Sequence, residues 1–189
     1  MHIVSADATA VAATLPLVAR VTDPSLPTPC AGWDLGALVT HMTEQHQIFA
    51  AAAGTPAPHP VRSYAAAADL VLTAFAAPGV LDRPFLLPEI HPTRTFPGRQ
   101  AIGFHLVDYV VHGWDVATAL GIPYDIAPDV LAATLPIARA VPDGAARQGT
   151  FAPARPVPPG TPPLDEILLL LGRRPSAPES APEFVGGSC

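Results

Sequence analysis

Lysine is absent from this chain: all ten basic residues are arginine, set against sixteen Asp and Glu, for a formal charge of −6. Without a basic patch or arginine cluster there is no electrostatic footprint for nucleic acid, which is excluded as an expected partner. Cysteine is nearly absent too. Cys30 and Cys189 are the only two, too few for a disulfide framework, and the flexible-looking end that carries Cys189 argues against a bridge. No run of about 18 uncharged apolar residues offers a membrane span. Met1–Asp7 lacks the positive n-region of a signal peptide. A soluble cytoplasmic protein, with neither membrane nor nucleic acid as partner, is the expectation. Abundant Ala, Pro and Gly with no lysine suggests a GC-rich genome rather than a mechanism.

What is present is apolar. Hydrophobic residues make up 49% of the 189 and charged ones only 14%, so a packed core is expected rather than disorder. The length suits one domain, and no internal repeat is visible. Asp7 to about Val21 reads as a first helix, stopped by Asp23-Pro24 and Pro27-Thr28-Pro29. Asp34 is placed to cap a second helix, with Trp33 where a hydrophobic staple would meet Leu38; Gly54-Thr55-Pro56 ends it. Tyr64, Ala68, Val71 and Phe75 mark a third helix over about 61–77. Pro84, Pro88, Pro92 and Pro97 make 80–98 extended or turn-like, with room for a short hairpin. The longest helical pattern follows, from Ile102 to Leu120, with Gly121 as C-cap and Pro123 beyond it. Pro128 to about Ala140 is a further helix, 141–163 a Pro- and Gly-rich loop, and Leu164–Leu171 a short apolar helix. The reading is all-α: a four-helix bundle with a long irregular connection between its third and fourth helices and a short C-terminal helix. Residues 1–175 form the domain, and 176–189 a flexible tail.

The chemical signal lies in the longest helix. His105, Asp108, His112 and Asp115 stand at i, i+3, i+7 and i+10, and at about 100° per residue they share one narrow stripe. Asp108 and His112 have the i, i+4 spacing that lets two side chains reach one ion. One helix seldom completes a site, and His41, between Leu38 and Met42 on the second helix, is the facing candidate. Two imidazoles and one carboxylate leave a coordination position open, as in catalytic rather than structural sites. Zinc suits them, with nickel or iron as alternatives. The same Asp–His pair is equally a surface pair, since such spacing arises by chance. Gln45 lines the cavity or supplies a hydrogen bond. Trp33 and Trp114 either flank a pocket or pack, and packing is the commoner fate. Asp115 either orients a ligand imidazole or bonds a backbone group. Cys30 reads as a buried structural thiol, with no basic residue nearby in sequence. His46, His59 and His91 lack a partner spacing, and His2 is terminal.

Three stretches resemble the mycothiol-dependent maleylpyruvate isomerase family of the DinB-like superfamily, in an actinobacterial metal-binding subgroup. These are Thr28-Pro29-Cys30-Ala31-Gly32-Trp33 running on to His41, Asp108-Tyr109-Val110-Val111-His112-Gly113-Trp114-Asp115, and Phe151-Ala152-Pro153 with Leu168-Leu169-Leu170-Leu171-Gly172-Arg173. The resemblance spans about residues 5–175. It implies a DinB-like bundle holding a divalent metal with His41, Asp108 and His112, and mycothiol as thiol cosubstrate. The isomerase itself carries Glu where this chain has Asp108, and resembles a two-domain protein. His105 stands outside the implied triad, as a fourth ligand or a pocket wall.

The function expected from this is a metal- and thiol-dependent isomerase or S-transferase acting on a small electrophilic substrate. The alternatives are a non-catalytic metal- or ligand-binding module and a metal-free helical protein. No general base is assignable, and Arg94 or Arg99 would be guesses for a substrate carboxylate. A homodimer through an apolar face stays open.

Overall fold

The computed structural model describes residues 1–57, 59–142 and 151–175. Among them are six α-helices and one two-stranded sheet: α1 (Ile3–Val18), α2 (Leu35–Ala52), α3 (Tyr64–Phe75), β1 (Pro84–Leu86), β2 (Thr95–Pro97), α4 (Gly98–Ala119), α5 (Pro128–Arg139) and α6 (Pro163–Leu170). The protein is mostly helical. The expected tail from 176 on, with Cys189, lies outside the described residues, as does the 143–150 part of the expected loop.

Side-chain caps open α2 and α3. Asp34 accepts a hydrogen bond from the Ala37 amide at 2.8 Å, and the Ser63 hydroxyl does the same for Ala66 at 3.4 Å, each satisfying one of the open N–H groups of a first turn. The first helix begins at Ile3, earlier than the expected Asp7, which puts Asp7 inside the helix and fully buried. The Pro-rich stretch holds a real antiparallel hairpin, pairing Phe85 with Phe96 and Pro84 with Pro97. Both phenylalanines point inward and are buried, while their neighbours stay exposed. Two strands tolerate the prolines because a ribbon has edges on both sides.

The central element is α4. It packs against α1, α2 and α5, with the hairpin across its N-terminal end. Its surroundings remove the expected division into an apolar face and a polar stripe: His105 and Asp115 are as fully buried as Leu106 and Val110. One core lies among α1, α2, α4 and α5. A second joins α2, α3 and the hairpin to the start of α4, and a third sits between α4, α5 and α6. Two glycines permit close approaches to α4: a Cβ at Gly98 would lie 1.9 Å from the Val80 carbonyl oxygen, and one at Gly113 2.5 Å from the Tyr124 hydroxyl. Among the described residues, no helix is long and apolar enough to cross a membrane.

Candidate metal centre

Two loop-and-helix elements bring the site together. The segment before α2 is folded on itself: the Thr28 hydroxyl donates to the Trp33 carbonyl at 2.8 Å and the Trp33 amide to the Cys30 carbonyl at 3.1 Å. Gly32 makes this closure with φ of +83°, a conformation that costs glycine little. Trp33 is thereby left 37% exposed. Its ring lies 4.7 Å from that of His41 and 6.4 Å, near-parallel, from that of His112. It forms one wall of the site.

His41 from α2 meets Asp108 and His112 from α4. His41 Nε2 is 3.9 Å from Asp108 Oδ2, and His112 Nε2 is 3.3 Å from Asp108 Oδ1. One donor atom from each of the three lies within 4.8 Å of the other two. Two ligands each about 2.1 Å from a tetrahedral ion are about 3.4 Å apart, so small side-chain rotations bring all three to one centre. His41 and Asp108 keep part of their surface in solvent, leaving a way in. Burial lowers the His41 pKa, while Asp108 and, more weakly, Glu89 and Glu44 favour its charged form. His112 opposes them, and the net direction is downward. Burial alone would raise the Asp108 pKa, but His112 and His41 together hold it at about 2.

The other nitrogen of His112 is also engaged. Nδ1 lies 3.0 Å from Asp115 Oδ2, the carboxylate-to-imidazole contact that fixes the tautomer of a metal-ligating histidine and turns Nε2 towards the ion. Burial disfavours charge on His112, yet Asp108, Asp115 and Cys30 outweigh it and raise its pKa well above the ordinary value. A proton on Nε2 and a cation beside Asp108 are thus alternative occupants of one place. The donor set fits a divalent metal.

Asp115 belongs to a further group that sequence spacing does not reveal. Arg173 donates to it from Nε at 3.3 Å and from Nη2 at 2.8 Å, and Nη2 also reaches Cys30 Sγ at 3.1 Å. The Cys30 thiol donates to Asp115 Oδ2 at 3.2 Å. The absence of a base near Cys30 in sequence is thus corrected by a residue 143 positions away. Cys30, His112 and Asp115 form a second convergent donor group, but a cation there would face the fixed guanidinium of Arg173. Among the described residues the triad has no such competitor.

The remaining candidates fall elsewhere. His105 does not join the triad: its Nδ1 lies 2.7 Å from Asp7 Oδ1 and its Nε2 3.2 Å from His46 Nδ1, in the core. His46 therefore has a partner, on another helix and at no readable spacing. Gln45 donates to Glu89 at 2.7 Å, tying the loop after β1 to α2 one turn beyond His41. Trp114 packs into the core between α4, α5 and α6 and lines a different concavity from Trp33. His91 accepts from the Thr93 and Arg94 amides within its own loop. Arg99 pairs with Asp82 at 2.8 Å, and Arg94 lies over the Phe96 ring, both away from the triad.

The profile of the mycothiol maleylpyruvate isomerase N-terminal domain matches residues 7–117, the span that carries all three residues of the triad. Two uncharacterised proteins of Mycobacterium tuberculosis, from strains CDC 1551 / Oshkosh and ATCC 25618 / H37Rv, are each 32% identical to the chain over 155 residues. Each alignment covers 78% of this chain and 83% of the relative. No solved structure matches. By the extent of the profile match and the coverage of these relatives, the chain belongs to the mycothiol maleylpyruvate isomerase N-terminal domain family.

Proposed function

We propose that the protein is a divalent-metal-binding, thiol-dependent enzyme of the cytoplasm, an isomerase or S-transferase that uses mycothiol or a similar small thiol on a small electrophilic substrate. The observation that carries this reading is the convergence of His41, Asp108 and His112, with Asp115 holding the far nitrogen of His112. In this reading α1 to α4 are the four helices of a DinB-like bundle, and the three residues are the metal ligands. Zinc is the first choice of ion, with nickel or iron as alternatives.

A metal bound here supplies Lewis acidity, which lowers the pKa of a thiol so that thiolate forms at neutral pH. The protein's own groups do the rest. Asp115 keeps Nδ1 of His112 protonated and Nε2 directed at Asp108. Trp33 shields one side of the two imidazoles from water. The thiolate sulfur adds to an electrophilic carbon of the substrate, forming a C–S bond and moving the π-electron pair onto the acceptor. Expulsion of the thiolate after bond rotation gives isomerisation, and protonation with retention of sulfur gives S-transfer.

The test is the metal content of protein purified without chelator or affinity tag, beside His41→Ala and His112→Ala. Bound metal in the parent and its loss in both variants is the expected result; equal occupancy in all three removes the triad from the argument. Incubation of the loaded protein with mycothiol and a panel of electrophiles then reads thiol consumption. A second reading, a non-catalytic metal- or ligand-binding module, has one observation in its favour. Asp108 and Asp115 are both engaged by His112 and Glu89 by Gln45, which leaves no free carboxylate among these to serve as a base. Metal retention without thiol consumption selects it.

A further inference from the structure

A cleft of about 510 Å³ opens between α4 and the segments that flank α6, and no triad residue lines it. Its walls include Pro29, Trp114, Arg155, Asp165, Arg173 and Arg174. Arg173 is already neutralised, since its guanidinium is spent on Asp115, Cys30 and the Leu171 carbonyl. Arg155 is different. Its Nε donates to the Gly172 carbonyl at 2.9 Å, and its backbone amide to the Leu169 carbonyl at 2.9 Å. The Nε bond anchors the side chain and the amide bond its backbone, while Nη1 and Nη2 take no partner among the described residues. Arg174 is exposed and has no carboxylate partner among them either. Asp165 is half-buried in the same walls, also without a cation partner among the described residues.

Two unpaired guanidinium groups facing one carboxylate leave the cleft with one net positive charge. Guanidinium forks match a planar carboxylate in two-point geometry. Anchoring Arg155 beforehand removes much of the entropy cost of that match. Asp165 sets a second condition, because it repels a second negative charge and accepts from a hydroxyl or ammonium group. Trp114 and Pro29 add apolar wall for a flat body.

We infer that this cleft is a binding site for a small monoanionic organic acid, its carboxylate on Arg155 and Arg174 and a hydroxyl or ammonium donor on Asp165. The site stands on residues outside the triad and does not depend on a bound metal.

Calorimetric titration of the full chain with mandelate, benzoate, maleate and inorganic phosphate tests it. Mandelate should bind with a Kd of about 1 mM or tighter, ahead of benzoate, which lacks the donor, and of maleate, which carries a second charge. Arg155→Gln and Arg174→Gln should each weaken mandelate about tenfold. Arg174 is exposed, so its variant keeps the fold even if loss of the Arg155 anchor does not. Asp165→Asn should erase the preference for mandelate over benzoate, and His41→Ala, which touches neither Asp115 nor Arg173, should leave mandelate binding intact. The last result separates this site's fate from that of the metal reading. Failure of all three carboxylates at about 10 mM, binding by phosphate alone, affinity unchanged in both arginine variants, or a preference untouched by Asp165→Asn would each overturn the assignment.

Discussion

Helix α4 carries two histidines, seven residues apart, whose Nδ1 atoms are both held by a carboxylate: His105 by Asp7 at 2.7 Å and His112 by Asp115 at 3.0 Å. What differs is the partner of Nε2. In His105 it meets another imidazole, His46 Nδ1 at 3.2 Å. In His112 it meets Asp108 at 3.3 Å, with His41 beyond, and those three donors converge where solvent can enter. The first group is wrapped by Phe49, Phe75 and Tyr109 with no exposed surface. A histidine's residue type and carboxylate partner therefore do not by themselves make it a candidate ligand. The atom facing its other nitrogen, and access to it, decide that.

Removing each histidine in turn separates the two groups most directly. His105→Ala leaves Asp7 buried with neither oxygen partnered, since Oδ2 already lacks a partner in the intact protein. Stranding such a group costs about 3–5 kcal/mol, read as a lowered urea midpoint, with the metal content of whatever folds unchanged. His112→Ala should do the converse: metal affinity lost by more than about 100-fold, as for removal of a primary ligand, with the smaller loss of stability. If the two variants exchange these phenotypes, the assignment of site and core is reversed.

The carboxylates sharpen the same contrast at smaller scale. Asp115→Asn keeps the shape but offers its amide to Nδ1 of His112, favouring the tautomer with the proton on Nε2. Metal affinity should fall about 10- to 100-fold, the usual range for groups that orient a ligand, measured by competition with a chromophoric chelator. Asp7→Asn should leave affinity unchanged and move only the urea midpoint.

These pairs also mark how far the sequence can be read. Asp34, the 80–98 prolines and the α4 apolar pattern act locally, so caps, hairpin and helix order are legible to within a few residues. The three converging residues are legible as well, because Asp108 and His112 share a helix face and His41 follows a cap that fixes its register. Asp7, His46 and Arg173 are not legible. Each reaches its partner across the fold, over 98, 59 and 58 positions to His105, His105 and Asp115, and no spacing rule operates at such distances. The placing of His105 beside the triad in sequence misleads for a related reason. On a helix buried all round, a shared stripe does not mean a shared neighbour.

Acid separates the two groups next. His46 is fully buried, and burial, helped by the facing His105, pushes its pKa down to about 2. A histidine neutral in the fold but free to protonate when unfolded binds fewer protons in the native state between about pH 2 and 6.5. Its contribution to stability is complete above about pH 6.5 and is lost as the pH falls, by up to about 1.4 kcal/mol per unit. The loss from pH 7 to 5 should thus be about 2 kcal/mol smaller in His46→Phe than in the parent protein, by urea midpoints at each pH. The aromatic replacement keeps the stack on Tyr109, whose ring lies 4.2 Å away. An equal acid loss in both proteins would show that His46 is not the neutral buried group described.

The smallest effect concerns access. Trp33 is exposed and lies on His41, whereas Trp114 is packed into the α4–α5–α6 core. A paramagnetic divalent ion such as nickel, held by His41, Asp108 and His112, should quench Trp33 emission more than that of Trp114. Trp33→Phe should therefore abolish most of the nickel-dependent quenching. Its stability should change by no more than about 0.5 kcal/mol, as for other surface substitutions, and the nickel content should stay the same. Quenching that survives in Trp33→Phe but disappears in Trp114→Phe would put the ion on the Arg173 side of Asp115. It would then occupy the Cys30, His112 and Asp115 group in spite of the guanidinium there, and the solvent-facing triad would lose its claim to the metal.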